Sequence, residues 1–137
     1  MSKLEHDLPA PPQPARNVAV VDDNRDVREA IGGVLRSRGY QVQLFGTAAA
    51  LLSSAMLAQF DCIVSDVQMP GMSGLELLEA LRLAQQCTPL VLMTALADRS
   101  TQQRALAGGA YCLLAKPFPV EQLANCVMAA LGRADPP

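Results

Sequence analysis

Apolar and polar positions change rhythm repeatedly along this chain, from short unbroken apolar runs to runs spaced at three and four residues. VAVV at 18–21, CIV at 62–64, LVLM at 90–93 and CLLA at 112–115 are continuous, as in strands covered on both faces. Between them Val27, Ala30, Ile31, Val34 and Leu35 recur at helical spacing, as do Val120, Leu123, Ala124, Val127, Met128 and Leu131. These runs predict amphipathic helices. The segment YQVQLF alternates instead, which predicts a second strand at a sheet edge, with strands one, three and four inside. Punctuation agrees: Gly39 follows the first helix, Thr47 precedes the second, Ser73 can cap the third, and Pro119 suits the first turn of the last. Five βα units and a parallel, doubly wound α/β sheet follow. The fourth helix has the faintest pattern, because DRSTQQRALAGG has little apolar periodicity and ends at Gly108 and Gly109. It is expected to be short or mobile.

A chain of 137 residues that is 50% apolar can bury one substantial core, and a second domain would not fit. The opening MSKLEHDLPAPPQPAR carries four prolines and no continuous apolar stretch, so residues 1–16 are expected to form a disordered tail and not a secretory signal. The folded domain is expected over 17–131, with 132–137 a frayed end or the start of a linker. No apolar run is long enough to span a bilayer, which points to a cytoplasmic protein that does not enter membranes. The net charge of -2 and scattered basic residues leave no nucleic-acid footprint, so direct DNA contact by this chain is not expected. Cys62, Cys87, Cys112 and Cys126 lie far apart without a C-x-x-C pair, and His6, the only histidine, is in the tail. Buried or half-buried reduced thiols are expected, in place of zinc ligands or disulfides.

In an open parallel α/β sheet, ligands bind beyond the carboxyl ends of the strands. Asp22 and Asp23 follow strand one, Asp66 strand three, Thr94 strand four, and Lys116, then Pro117, strand five. Each has an ordinary explanation by itself. Asp22-Asp23-Asn24 suits a helix start, Asp66 and Thr94 suit turns, and Lys116 suits solvent. Their coincidence at four strand ends is what argues for a site. Three converging carboxylates repel unless a cation neutralises them, and an all-oxygen set suits Mg²⁺ or Mn²⁺, ions that readily share their coordination with a phosphate. Lys116 can hold a phosphoryl oxygen and Thr94 can donate to another, leaving Asp66 as a nucleophile that would form an acyl phosphate.

VAVVDDN, DCIVSDVQMPGMSGLELL, VLMTA and LLAKPF resemble, in order and spacing, the motifs of response-regulator receiver domains, over about residues 17–131. GYQVQLFGTA and GMSGLEL look most like receivers that precede LuxR-type DNA-binding domains. The resemblance implies a flavodoxin-like (βα)5 fold with strand order 2-1-3-4-5. It implies that Asp23 is a direct metal ligand, that Asp22 acts largely through metal-bound water, and that Asp66 and the Gln68 backbone carbonyl complete the protein ligands. Asp66 would be the phosphoacceptor, Thr94 the switch hydroxyl and Lys116 the phosphoryl-binding cation, with a cis Lys116-Pro117 bond. Such receivers usually carry Tyr or Phe three residues before the lysine, where this chain has Leu113; Tyr111, two residues earlier, would share its strand face.

The implied function is that of a two-component receiver, phosphorylated by a sensor histidine kinase or histidine phosphotransfer protein. It would catalyse only its own phosphorylation and dephosphorylation. A downstream effector or a homodimer partner would dock on the surface of helix four, strand five and helix five. Two other readings compete. The chain could be the N-terminal receiver of a LuxR-type transcription factor. It could instead be an aspartyl-phosphate hydrolase of the haloacid-dehalogenase type, but that chemistry needs an acid two residues after the nucleophile, where Gln68 stands.

Overall fold

Residues buried on both faces build the centre of the molecule. The computed structural model describes residues 15–134, and within these five parallel strands form one sheet: β1 (Asn17–Val21), β2 (Gln41–Phe45), β3 (Cys62–Asp66), β4 (Leu90–Thr94) and β5 (Cys112–Ala115), ordered β2-β1-β3-β4-β5. Every residue of β3 and β4 is buried. The alternating β2 lies at an edge, as its pattern predicts, with Val42 buried between exposed Gln41 and Gln43.

Five helices connect and cover these strands: α1 (Arg25–Ser37), α2 (Ala48–Leu52), α3 (Gly74–Leu83), α4 (Arg99–Ala107) and α5 (Val120–Ala134). On one face, Ile31 and Leu35 of α1 and Leu123, Val127 and Leu131 of α5 pack on Val18, Val20, Val64, Val91 and Met93. On the other, Leu51 of α2, Leu75, Leu77, Leu78 and Leu81 of α3 and Ala105 of α4 cover Ala19, Val21, Ile63, Leu90 and Leu92. Successive strand residues feed opposite layers, which is why unbroken apolar runs were needed.

Side-chain oxygens start four helices by accepting an otherwise orphaned backbone N–H: Asn24 from Val27 (3.0 Å), Thr47 from Ala50 (3.0 Å), Ser73 from Glu76 (3.1 Å) and Asp98 from Thr101 (2.8 Å). Glu76 closes a capping box by accepting from the Ser73 N–H at 2.9 Å. Gly39 ends α1 at φ +94°, and Pro119 immediately precedes α5. The fourth helix is short, nine residues with Ala105 as its buried contact.

Arg16, assigned to the tail, is tied to the fold: its carbonyl accepts from Gln41 N at 2.9 Å, and its guanidinium donates to the Leu131 carbonyl at 3.3 Å and lies 3.9 Å from Asp61. The β1–β2 ladder thus begins one residue before β1. At the other end α5 continues through Ala134, three residues beyond the expected limit, because helix-breaking proline first recurs at Pro136. The rest of the expected tails, residues 1–14 and 135–137, lies outside the described residues.

Candidate functional site

The carboxyl ends of β1, β3, β4 and β5 bring the six polar candidates to one edge of the sheet. Asp22 directly follows β1 and is held three ways: its N–H donates to the Phe45 carbonyl (3.1 Å), its Oδ1 accepts from Asn24 N (2.8 Å), and Arg28 Nη1 donates to its carbonyl (2.7 Å). Asn24 alone caps α1, so the two preceding acids are left for other work. Asp23 is exposed. Asp66 ends β3 and Thr94 ends β4, where Val67 N donates to the Met93 carbonyl at 2.8 Å. Lys116 follows β5 and is fixed by its N–H to the Thr94 carbonyl (2.7 Å); its bond to Pro117 is cis.

Asp22 and Asp66 are only 1% and 5% exposed, so both carboxyl groups have left most of their water. Lys116 Nζ lies 3.3 Å from Asp66 Oδ1 and 4.0 Å from Asp22 Oδ2. Apart from this ammonium, those two buried oxygens have no hydrogen-bond partner among the described residues. One carboxylate oxygen each from Asp22, Asp23 and Asp66 lies within 4.8 Å of the others. Burial pushes the Asp66 carboxyl above its ordinary value; Lys116 pulls it back and Asp22 pushes it further up. One ammonium among three acids leaves excess negative charge, and unpartnered buried oxygens are costly. The donor set therefore fits a hard divalent cation bound by oxygen, Mg²⁺ or Mn²⁺.

The Gln68 side chain is engaged where no local signal announced it. Its Nε2 and Oε1 lie 2.8 and 3.0 Å from Thr94 Oγ1, and Oε1 also accepts weakly from Ala95 N at 3.4 Å. Gly74 was also missed as a site residue: its N–H donates to the Val67 carbonyl (3.0 Å), and a Cβ there would sit 2.3 Å from the Asp66 carbonyl oxygen. Arg28 is a third. The signal for all three is spatial, since their partners stand across a loop or on another strand end.

Leu113 packs into the layer of α2, α3 and α4, whereas Tyr111 packs with the α1 and α5 layer. The shared strand face expected for this pair is not found, because Tyr111 sits in a bend before β5, where strict alternation does not hold. Leu96 is 62% exposed and donates its backbone N–H to Thr94 Oγ1 at 3.0 Å. Cys62 is buried and Cys112 and Cys126 half-buried, all free; burial pushes the Cys62 and Cys112 thiols up to about 12. Cys87 departs from expectation and is exposed, since the loop from α3 to β4 turns its carbonyls inward to Arg82. No helix among the described residues is long and apolar enough to cross a membrane.

Residues 18–128 match the response regulator receiver domain family. The transcriptional regulatory protein FixJ of Bradyrhizobium diazoefficiens is 35% identical over 120 residues, covering 88% of this chain and 58% of that protein. The chain thus spans about half the length of the curated relatives it matches, 51% for nodulation protein W of the same organism. Among solved structures, chemotaxis protein CheY4 of Vibrio cholerae superposes with a TM-score of 0.78 at 34% identity, covering 86% of this chain and 100% of that one. The response regulator StyR gives 0.81 at 37%, covering 88% and 61%.

Proposed function

Because the chain belongs to the response regulator receiver domain family, acting in phosphorylation-based two-component signalling, we propose that Asp66 is its phosphoacceptor. The donor is a phosphohistidine on a sensor kinase or phosphotransfer protein. An Asp66 carboxylate oxygen forms the new O–P bond as the P–N bond to the donor imidazole breaks, and that imidazole keeps the electron pair and takes up a proton. Lys116, 3.3 Å from Asp66 Oδ1, holds a phosphoryl oxygen. Thr94 is the switch hydroxyl.

Asp22, Asp23, Asp66 and the Gln68 backbone carbonyl would hold Mg²⁺ or Mn²⁺, Asp22 largely through water. The cation supplies charge neutralisation for the incoming phosphoryl group. Arg28 and Asn24 keep the Asp22 carboxylate aimed at the cluster through the bonds described above. The chain acts in the cytoplasm and turns over nothing but its own acyl phosphate, since Gln68 cannot supply the acid that an external phosphatase cycle needs. Curated relatives about half as long again as this chain support an output domain beyond the receiver; by the family resemblance its partner, an effector of the LuxR-type class or a second receiver, docks on the α4, β5 and α5 surface.

The observation that carries the reading is the pair of buried oxygens on Asp22 and Asp66 that have Lys116 as their one cationic neighbour among the described residues. Incubation with acetyl phosphate and Mg²⁺, followed by intact-protein mass spectrometry, tests it. One phosphoryl group per chain is expected in wild type, a strongly reduced yield in Asp23→Ala or with chelator, and none in Asp66→Asn. Full incorporation in Asp66→Asn overturns it.

A further inference from the structure

Thr94 is fully buried and its hydroxyl is already engaged by Gln68. A hydroxyl has one proton to donate and two lone pairs to offer. Here Oγ1 lies 3.0 Å from Gln68 Oε1, to which it donates, with Gln68 Nε2 beside it at 2.8 Å, and it accepts from Leu96 N (3.0 Å). While its one proton goes to Gln68 Oε1, none is left for a phosphoryl oxygen. For Thr94 to reach a group on Asp66, it must first release Gln68.

We propose that the Gln68 carboxamide is the positioning group of the switch, holding the Thr94 hydroxyl and the loop at Ala95 and Leu96 in the resting arrangement until phosphorylation of Asp66 outcompetes it. This rests on the assignment of Asp66 as acceptor and Thr94 as switch hydroxyl. Gln68 stands two residues beyond Asp66, and its amide bridges to the strand beside it. The last backbone bond of that strand pair is Val67 N to Met93 O at 2.8 Å, so the side chain prolongs the β3–β4 ladder past its end. Phosphorylation offers the Thr94 proton a dianionic acceptor, and hydrogen bonds to charged acceptors are about twice as strong as neutral ones. The Thr94 O–H turns its hydrogen bond from Gln68 Oε1 to a phosphoryl oxygen, and the Ala95 N–H loses its contact with Gln68 in the same event. Leu113 has no polar tip, so no competing bond to Thr94 comes from β5. The state of the loop is decided between β3 and β4.

Gln68→Met keeps the length of the side chain and removes its hydrogen bonds. Because Gln68 is exposed, the substitution leaves the core intact, and Gln68→Ala serves as a second variant. Amide chemical shifts of wild type with and without phosphorylation define a line for Thr94, Ala95 and Leu96. In unphosphorylated Gln68→Met these amides are expected to move along that line, with the resting-to-switched ratio lowered roughly fivefold, the value of one neutral hydrogen bond. In a Thr94→Val background the same substitution should shift the loop less, since only the weak contact with Ala95 N remains to be lost. Amides that stay at wild-type positions, or leave the line, in both Gln68 variants overturn the proposal. A wild type that takes up no phosphoryl group by mass overturns the underlying assignment as well, so the two failures are distinguishable.

Discussion

Asp66 carries opposing effects on one carboxyl group: burial and Asp22 favour its neutral form, and Lys116 favours the anion. The net direction is upward, so between the ordinary value of 3.8 and the raised one the folded chain binds more protons than the unfolded chain. Stability must therefore fall as pH rises through that window and stay lower above it. In chelator, Asp66→Asn is expected to melt at a higher temperature than wild type at pH 7, with the gap closing as pH drops below 3.8. Mg²⁺ should narrow or reverse the order, because it stabilises only the chain with the full carboxylate set. Calorimetry checks this, and a wild type more stable than Asp66→Asn in chelator at pH 7 contradicts it. At this scale the three acids, Thr94 and Lys116 were legible, since each stands within two residues of the end of an apolar run. The Gln68 side chain, Arg28 and Gly74 were not, because what gives them a role is a neighbour on a different element.

Gly74 shows how an element sets the geometry of the site. The α3 helix begins so close to the end of β3 that an added Cβ would meet the Asp66 carbonyl oxygen and carbon at 2.3 and 3.0 Å and Leu92 at 3.1 Å. Backbone cannot yield as a flexible side chain can, so Gly74→Ala is expected to lower stability by about 1–3 kcal/mol and to slow phosphorylation by displacing Asp66. Denaturant melts and phosphorylation time courses check both, and an unperturbed variant would show that α3 does not constrain the acceptor. Helix α4 is the counterpart, an element lightly held. Arg82 donates to the carbonyls of Gly108 and Gly109 (both 3.2 Å), securing its C-terminal end, while its N-terminal side follows the loop of Thr94 and Leu96. Its slight apolar content made its shortness legible, as alternation made β2 an edge. The Asp98 cap and the extension of α5 to Ala134 were less so, because cap residues are common in loops and a helix runs on until a breaking residue stops it.

Across the whole molecule, two apolar layers fix the sheet from both faces and leave chemistry to the edge where the strands end. Strand order reverses between β1 and β3, and Asp22, Asp23 and Asp66 lie where the chain departs from those two strands. Lys116 and Thr94 arrive from the strands beyond, so a group on Asp66 would stand among the ends of β3, β4 and β5. That convergence lets a local change of charge reach α4 and the surface beside it. The fold was legible almost whole, since five βα units with one alternating strand admit few arrangements. Arg16 escaped because its ties to Gln41, Asp61 and Leu131 join parts of the chain far apart in sequence. The central claim is that Asp66 accepts the phosphoryl group, and the most direct test is to locate that group chemically. Borohydride reduces an acyl phosphate to an alcohol, so a phosphorylated aspartate becomes homoserine. After treatment with acetyl phosphate and Mg²⁺, then borohydride, peptide mass spectrometry should find homoserine at position 66; homoserine at position 22 or 23 instead, or phosphate only on serine or threonine, would contradict the account.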